Sequence, residues 1–130
     1  MKLLRVEHID IVCADLAKSV EFYRKLGLTP EGTLENGSTV FLFNDDDDSP
    51  VRVELHQAQE GAKVGIHHLA FEVADPDASY KEGRYLGLEF LFEPLQNTQS
   101  GRRITNLADP DGVEIQLARK TLSGEYGDWG

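Results

Sequence analysis

The sequence has a single cysteine, few positive charges and no long apolar run. Cys13 cannot form an internal disulfide, and it alternates in phase with Ile9 and Ile11, which predicts a buried, inert thiol. With 13 Lys and Arg against 23 Asp and Glu, the formal net charge is −10, which repels nucleic-acid phosphates and anionic membranes. No stretch approaches the roughly 20 apolar residues that span a bilayer. We therefore expect neither nucleic acid nor a membrane as a partner.

The sequence does contain enough apolar material for a globular core. It has 130 residues, of which 40% are hydrophobic, and this suits one domain or two small halves that share a core. The opening residues, MKLLRVEHID, reach charged side chains too soon for the apolar region of a signal peptide. These features predict a cytoplasmic protein.

The two halves of the chain resemble each other. A shift of 60 positions places His8 on His68, and four further matches follow in the same order. They are Asp15 on Asp75, Leu26-Gly27-Leu28 on Leu86-Gly87-Leu88, Pro50 on Pro110, and Val53-Glu54-Leu55 on Val113-Glu114-Ile115. Matches at a single offset indicate a duplicated unit. We predict one domain over residues 1–120, with modules at about 1–60 and 61–120, and a tail at 121–130.

Each half has the same order of predicted elements. Both halves open on a strand, HIDIVCA or HLAFEVA, whose histidine faces away from the apolar layer. A helix follows, with Asp15 as the N-cap in the first half, whereas the interior Gly83 of the second half predicts a shorter or weaker helix. Three extended runs complete each half, at 29–34, 39–44 and 51–57, and at 89–93, 103–107 and 113–119. The sequence thus predicts an α+β fold of two tandem βαβββ modules.

The one helix of each module covers only one face of its sheet. Side by side, the two second faces would curl into a cup that lines a single cavity. The polar residues predicted there are His8, Glu54, His56, His68, Glu114 and Gln116. Histidines with carboxylate or amide oxygens suit a divalent transition metal, whereas a solvated strand position is the alternative for any one of them alone.

Motifs along nearly the whole chain resemble those of the vicinal oxygen chelate superfamily, which includes glyoxalase I, bleomycin-resistance proteins and extradiol dioxygenases. They are VEHIDIVCADLAKSVEFYRKLGL, GIHHLAFEVADPDA and NLADPDGVEIQLA. Their order and spacing are more specific than any one motif. The resemblance implies a cupped mixed sheet, a small-molecule substrate and a homodimer.

The resemblance also implies one divalent metal ion, which would be nickel, zinc, cobalt, manganese or iron. The implied ligands are His8, Glu54, His68 and Gln116. Gln116 is a departure, because the family usually has a glutamate at this position after Asp-Pro-Asp-Gly. A site of two histidines, one carboxylate and one amide still suits these metals.

The internal repeat leaves an alternative to this ligand set. The shift of 60 positions pairs Glu54 with Glu114 and His56 with Gln116, whereas the family resemblance pairs Glu54 with Gln116. Residues two apart on a strand share a face, so Glu114 and His56 also face the predicted cavity. We assign Arg52, His56 and Glu114 to the substrate pocket and keep Glu114 as an alternate ligand.

By resemblance to the glyoxalase branch, the metal would hold two neighbouring substrate oxygens while Glu54 moves a proton. We predict a metal-dependent lyase or isomerase that acts on a small oxygenated metabolite. An extradiol-type dioxygenase is one alternative, although Gln116 and the lack of a tyrosine before Asp109-Pro110 count against it. A non-catalytic drug-binding protein of bleomycin-resistance type is the other, although polar cup positions disfavour it.

Three further segments are interpreted without a ligand. The acidic run at 45–48 lacks the spaced oxygens of a calcium loop and is read as a solvated turn. The sequon at 36–38 is read as another turn. The tail that carries Trp129 is either a frayed end or a docking segment for a second subunit.

Overall fold

The computed structural model describes residues 1–33, 38–44, 50–98 and 100–121. These residues form two compact units, one from His8–His67 and the other from Met1–Glu7 together with residues 68–121. The Asn-Gly pair of the predicted turn at 36–38, the acidic run at 45–48 and the tail with Trp129 lie outside the described residues.

The first unit follows the predicted order of one strand, one helix and three strands. Its elements are β1 (Arg5–Cys13), α1 (Leu16–Lys25), β2 (Thr29–Thr33), β3 (Thr39–Asn44) and β4 (Val51–Gln57). The strand order is β2-β3-β4-β1, in which β4 and β1 are parallel and the other pairs are antiparallel. The helix supplies the crossover that a parallel pair requires.

Helix α1 covers one face of this sheet. The side chain of Asp15 caps it by accepting a hydrogen bond from the Lys18 amide at 3.2 Å. Its apolar side packs on a buried cluster of Cys13, Leu28, Leu42, Val53 and Leu55. The predicted burial of the Cys13 thiol is confirmed. Because this core occupies one face, the alternate strand positions are left for polar groups on the other face.

The second unit repeats the topology. Its elements are β5 (Gly65–Glu72), α2 (Pro76–Tyr85), β6 (Leu95–Asn97), β7 (Arg102–Ala108) and β8 (Glu114–Lys120). The strand order is β5-β8-β7-β6, and β5 and β8 are again parallel. The predicted α+β fold of two tandem βαβββ modules is confirmed. Among the described residues, no helix has the length and apolar character needed to cross a membrane.

Two predictions for the second module are wrong. Helix α2 has ten residues, the same length as α1, so Gly83 does not shorten it. A Cβ atom at Gly83 would lie 2.7 Å from Cζ of Phe90, so the glycine makes room for this ring. Residues 89–93 are not a strand, because Phe90 makes only an isolated bridge to Leu107 and its ring packs on Tyr80 instead. The strand begins after Pro94, which has no amide hydrogen to donate.

The strand registers align the two modules residue by residue. Asp10 lies beside Glu54 in the first unit, and Ala70 lies beside Gln116 in the second. Because the opening histidines match, Asp10 corresponds to Ala70 and Glu54 to Gln116. The family-based pairing of Glu54 with Gln116 therefore agrees with the registers, whereas the repeat-based pairing with Glu114 does not. Gln116 follows Ala70 by 46 residues and Glu54 follows Asp10 by 44, so a two-residue insertion causes the difference.

A buried ion pair anchors the N-terminal segment within the second unit. Both Nε and Nη2 of Arg102 donate to the carboxylate of Glu7, the latter at 2.8 Å. Arg102 is 1% exposed and Glu7 is 6% exposed. The amide of Leu4 donates to the carbonyl of Glu72 at 2.9 Å, and Arg5 pairs with the Glu72 side chain. The fork of the guanidinium matches the carboxylate, so each buried charge is compensated.

Candidate metal centre

Four ionisable side chains gather on one face of the first unit. His8 and Asp10 project from β1, and Glu54 and His56 project from β4, at alternate positions that face away from the apolar core. His8, Asp10 and Glu54 are buried, whereas the side chain of His56 is 31% exposed. Solvent therefore reaches this cluster at His56.

The side chains of the cluster are in direct contact. Nε2 of His8 lies 3.7 Å from Oε1 of Glu54, and Nε2 of His56 lies 3.8 Å from Oε2 of Glu54. Nε2 of His56 also lies 2.5 Å from Oδ2 of Asp10, and its Nδ1 lies 2.7 Å from Oγ1 of Thr39. The imidazole of His56 is thus held at both nitrogens, and Glu54 presents one oxygen to each histidine.

The charges of this cluster favour a cation. Burial by itself lowers the pKa of His56, but the hydrogen bond that His56 donates to Asp10 and the charges of Asp10 and Glu54 outweigh burial, and the pKa is raised above its ordinary value. His8 opposes this rise. The two carboxylates therefore favour the positively charged form of His56.

The donor set fits a divalent transition metal. Imidazole and carboxylate groups together suit zinc, manganese, iron, cobalt and nickel. Bonds of about 2.1 Å at tetrahedral angles place ligand atoms about 3.4 Å apart. The ligand atoms of Asp10, Glu54 and His56 all lie within 4.8 Å of one another. The contacts of Glu54 to the two histidines, at 3.7 and 3.8 Å, are close to ligand spacing, whereas Asp10 and His56 would have to separate by about 1 Å.

The second unit carries the other two predicted ligands, and both are buried. His68 on β5 and Gln116 on β8 share one face of the sheet, because Gln116 lies beside Ala70, two residues after His68. Glu114 accepts a hydrogen bond from Nδ2 of Asn106 at 2.7 Å. Within the described part of the chain, the buried Oδ1 of Asn106 has no hydrogen-bond partner. Metal binding by His68 and Gln116, with Glu114 as alternate, stays a prediction.

Asp10 and Thr39 were not selected from the sequence. The alternation in HIDIV places Asp10 on the same face as His8, so the sequence did indicate its position. Asp10 is not among the ligand positions that the family resemblance implies. Thr39 gave no signal, because its place beside His56 depends on the pairing of β3 with β4. Alternation specifies a face and leaves the neighbour on the next strand undefined.

An aromatic surface adjoins the cluster in the first unit. Phe41 lies beside Glu54 and Phe43 beside Arg52, and both rings are buried as a small cluster separate from the helix-side core. The guanidinium carbon of Arg52 lies 5.8 Å from the centroid of the Phe43 ring. Arg52, a predicted pocket residue, thus places a cation two residues from Glu54 on the same face.

Comparisons with known proteins agree with this fold. The profile described as Glyoxalase/Bleomycin resistance protein/Dioxygenase superfamily matches residues 5–117. An uncharacterised Bacillus subtilis (strain 168) protein, YwkD, is 32% identical over 90% of this chain and 98% of its own length. A Streptomyces coelicolor methylmalonyl-CoA epimerase in complex with 2-nitronate-propionyl-CoA has a TM-score of 0.75 at 29% identity, over 93% of this chain and all of that chain.

A 2,3-dioxygenase shares the fold at lower identity. LapB from Pseudomonas sp. KL28 has a TM-score of 0.75 at 23% identity, over 98% of this chain and 47% of that chain. The profile match extends over most of the sequence, and the structural likeness covers the same elements. The chain therefore belongs to the Glyoxalase/Bleomycin resistance protein/Dioxygenase superfamily, the vicinal oxygen chelate group that its motifs resemble.

Proposed function

We propose that this protein is a metal-dependent isomerase or lyase that moves a proton on a small oxygenated metabolite. The observation that carries the proposal is the buried contact of Glu54 with two imidazoles in the first unit. The similarity to an epimerase at 29% identity supports an isomerase in particular. When bound, a divalent metal would stabilise negative charge on two neighbouring substrate oxygens.

The proposed ligands are those that the family resemblance implies. They are His8, Glu54, His68 and Gln116. His8 and Glu54 are already neighbours at 3.7 Å, which is close to the spacing of two ligands on one ion. Gln116 contributes a neutral oxygen, so Glu54 is the sole carboxylate of this set. A homodimer and a cytoplasmic location remain predictions.

Glu54 is the proposed general base. Glu54 is only 8% exposed, so bulk water does not compete strongly for the proton that its carboxylate takes from a carbon next to a carbonyl group. His56 lies 3.8 Å from Oε2 of Glu54 and interacts favourably with its negative charge. Asp10 and Thr39 fix the orientation of His56 through its two ring nitrogens. These contacts hold the base in place before a substrate arrives.

Arg52 and the aromatic surface limit the class of substrate. Arg52 provides a guanidinium on the same strand and face as Glu54, and guanidinium groups bind carboxylates in a bidentate manner. Phe41 and Phe43 are buried apolar neighbours on the adjacent strand. We propose a substrate with a carboxylate and a short apolar portion next to an acidic C–H bond. A carboxylated acyl thioester such as methylmalonyl-CoA, the ligand class of the similar epimerases, is the first compound to test.

Isotope exchange tests this proposal directly. The protein, purified without chelators, is incubated with methylmalonyl-CoA and with α-hydroxythioesters in D₂O, and exchange of the α-proton is followed by NMR. We expect exchange that a chelator abolishes and that Glu54→Gln lowers by about 100-fold or more, as loss of a general base does. The exposed Glu60→Gln is the matched control. Exchange that persists fully in Glu54→Gln or after chelation would contradict the proposal.

A further inference from the structure

We propose that Asp10, Glu54 and His56 form a second position for a divalent metal, next to the one that the family resemblance implies. The inference rests on the proposed function only in that Glu54 serves both positions. All three residues belong to the first unit, and their ligand atoms lie within 4.8 Å of one another.

The two oxygens of Glu54 face different histidines. Oε1 lies 3.7 Å from Nε2 of His8, and Oε2 lies 3.8 Å from Nε2 of His56. A carboxylate with one oxygen toward each of two nitrogen ligands is placed to bridge two ions, and with both ions bound Glu54 would no longer serve as the general base. Two-metal sites hold their ions about 3.5–4 Å apart, a distance that a bridging carboxylate spans.

The imidazole of His56 is oriented as a ligand. Metal-binding histidines generally have their other ring nitrogen held by a hydrogen bond, which fixes the ring. Thr39 holds Nδ1 of His56 at 2.7 Å, so Nε2 is directed at both Asp10 and Glu54. The partial exposure of His56 provides the path by which an ion enters.

The charges also favour a doubly charged ion at this position. Asp10 and Glu54 are 4% and 8% exposed, and burying two carboxylates is costly unless positive charge compensates them. A divalent metal at this position would supply two positive charges. Metal binding requires Nε2 of His56 and Oδ2 of Asp10 to separate from 2.5 Å to about 3.4 Å.

Metal stoichiometry tests the proposal. The full chain is loaded with Zn²⁺ or Co²⁺, and bound metal is counted by elemental analysis after gel filtration, with near-ultraviolet circular dichroism as the test of folding. We expect two equivalents in the natural protein, one equivalent in Asp10→Asn and in His56→Gln, and less than one in Glu54→Gln. Thr39→Val should keep both equivalents but weaken one of them by about 10–100-fold. Glu60→Gln, an exposed acid, should keep two.

Three other outcomes are decisive. One equivalent in the natural protein that persists in Asp10→Asn and His56→Gln overturns the second position and leaves the proposed function standing. No bound metal in the natural protein overturns both. One equivalent that is lost in Asp10→Asn and His56→Gln but kept in His68→Ala supports the Asp10 position and removes the position implied by the family.

Discussion

The two units of this chain share one topology but differ in the polarity of corresponding positions. The registers match Asp10 with Ala70, His56 with Ala118 and Thr39 with Ile104. The first unit thus has an acid, an imidazole and a hydroxyl where the second has three apolar side chains. The apolar pattern on the helix side determines the βαβββ topology, so the opposite positions are free to differ. Among the described residues of the second unit, the positions that correspond to Asp10 and His56 therefore offer no metal ligand.

Buried charge also differs between the units. In the second unit, Glu7 and Arg102 form a bidentate pair in which one acid meets one base. In the first unit, two buried carboxylates share His56, whose charge depends on protonation. The Glu7–Arg102 pair of the second unit is complete without a ligand, whereas the proposed metal ion would add stability to the cluster of the first unit. We infer that the buried charges of the second unit stabilise the fold, whereas those of the first unit serve the proposed metal chemistry.

The largest expected effect comes from breaking the buried ion pair of Glu7 and Arg102. Arg102→Ala leaves the carboxylate of Glu7 buried without its guanidinium, and such a change costs about 3–5 kcal/mol in the free energy of unfolding. Urea denaturation measures it. The double variant Glu7→Leu with Arg102→Met should recover much of the loss, because it removes both charges. A loss below about 1 kcal/mol in Arg102→Ala would show that the pair is not structural.

The second prediction tests whether the charge of Glu54 in the first unit contributes to metal binding. Glu54→Gln removes the charged oxygen between His8 and His56, so we expect metal affinity to fall by more than about 100-fold, beyond the usual cost of losing an outer-shell contact. Gln116→Ala, at the corresponding position of the second unit, should cost less because it removes a neutral oxygen. Isothermal titration with Zn²⁺ measures both. Equal losses of metal affinity in the two variants would show that Glu54 and Gln116 do not differ in their contribution to metal binding.

The third prediction converts the first unit to the pattern of the second. In the presence of a chelator, Asp10→Ala alone should destabilise the protein by about 1–3 kcal/mol, because His56 loses a charge-assisted hydrogen bond. The double variant Asp10→Ala with His56→Ala should lose less unfolding free energy than the sum of the two single variants. The reason is that replacing both partners leaves no buried polar group without its hydrogen bond. A double-mutant cycle in urea provides the coupling. Strict additivity would mean that Asp10 and His56 do not act as a pair.

The smallest expected effect concerns a surface pair found in the second unit. The hydrogen bonds from Arg103 lower the pKa of Asp77, although partial burial opposes this. A lowered pKa adds stability above the ordinary value of 3.8, and that stability is lost as the pH falls through the lower folded value. Asp77→Asn should therefore reduce the loss of stability on acidification, and added salt should reduce the difference. The corresponding residues of the first unit are Ala17 and Ser38, so no such acid dependence is expected there.

Alternation and capping signals predicted most of the fold from the sequence. The strands of the first module, the N-cap at Asp15 and the burial of Cys13 follow from local patterns of polarity. The prediction of a strand at 89–93 was wrong because the packing of Phe90 against Gly83, which is a tertiary contact, orders these residues. Local patterns cannot show such contacts, because they depend on residues that are distant in the sequence.

The candidate site was predictable in part for a related reason. Alternation identified the face that carries His8, Glu54 and His56, and these side chains do meet in the structure. The contact of His56 with Thr39 and Asp10 required the cross-strand registers, which depend on the lengths of the connecting loops. The two-residue insertion in the second module also made the simple repeat misalign Glu54.

The pairing of Glu7 with Arg102 can form only late in the synthesis of the chain. Glu7 and Arg102 are separated by 95 residues, so the ribosome must deliver most of the chain before this pair forms. At synthesis rates of about 5–20 residues per second, the segment Met1–Glu7 waits at least several seconds for Arg102. Residues His8–His67 are complete long before then. Residues Met1–Glu7 are thus made before His8–His67 but reach their final neighbours later.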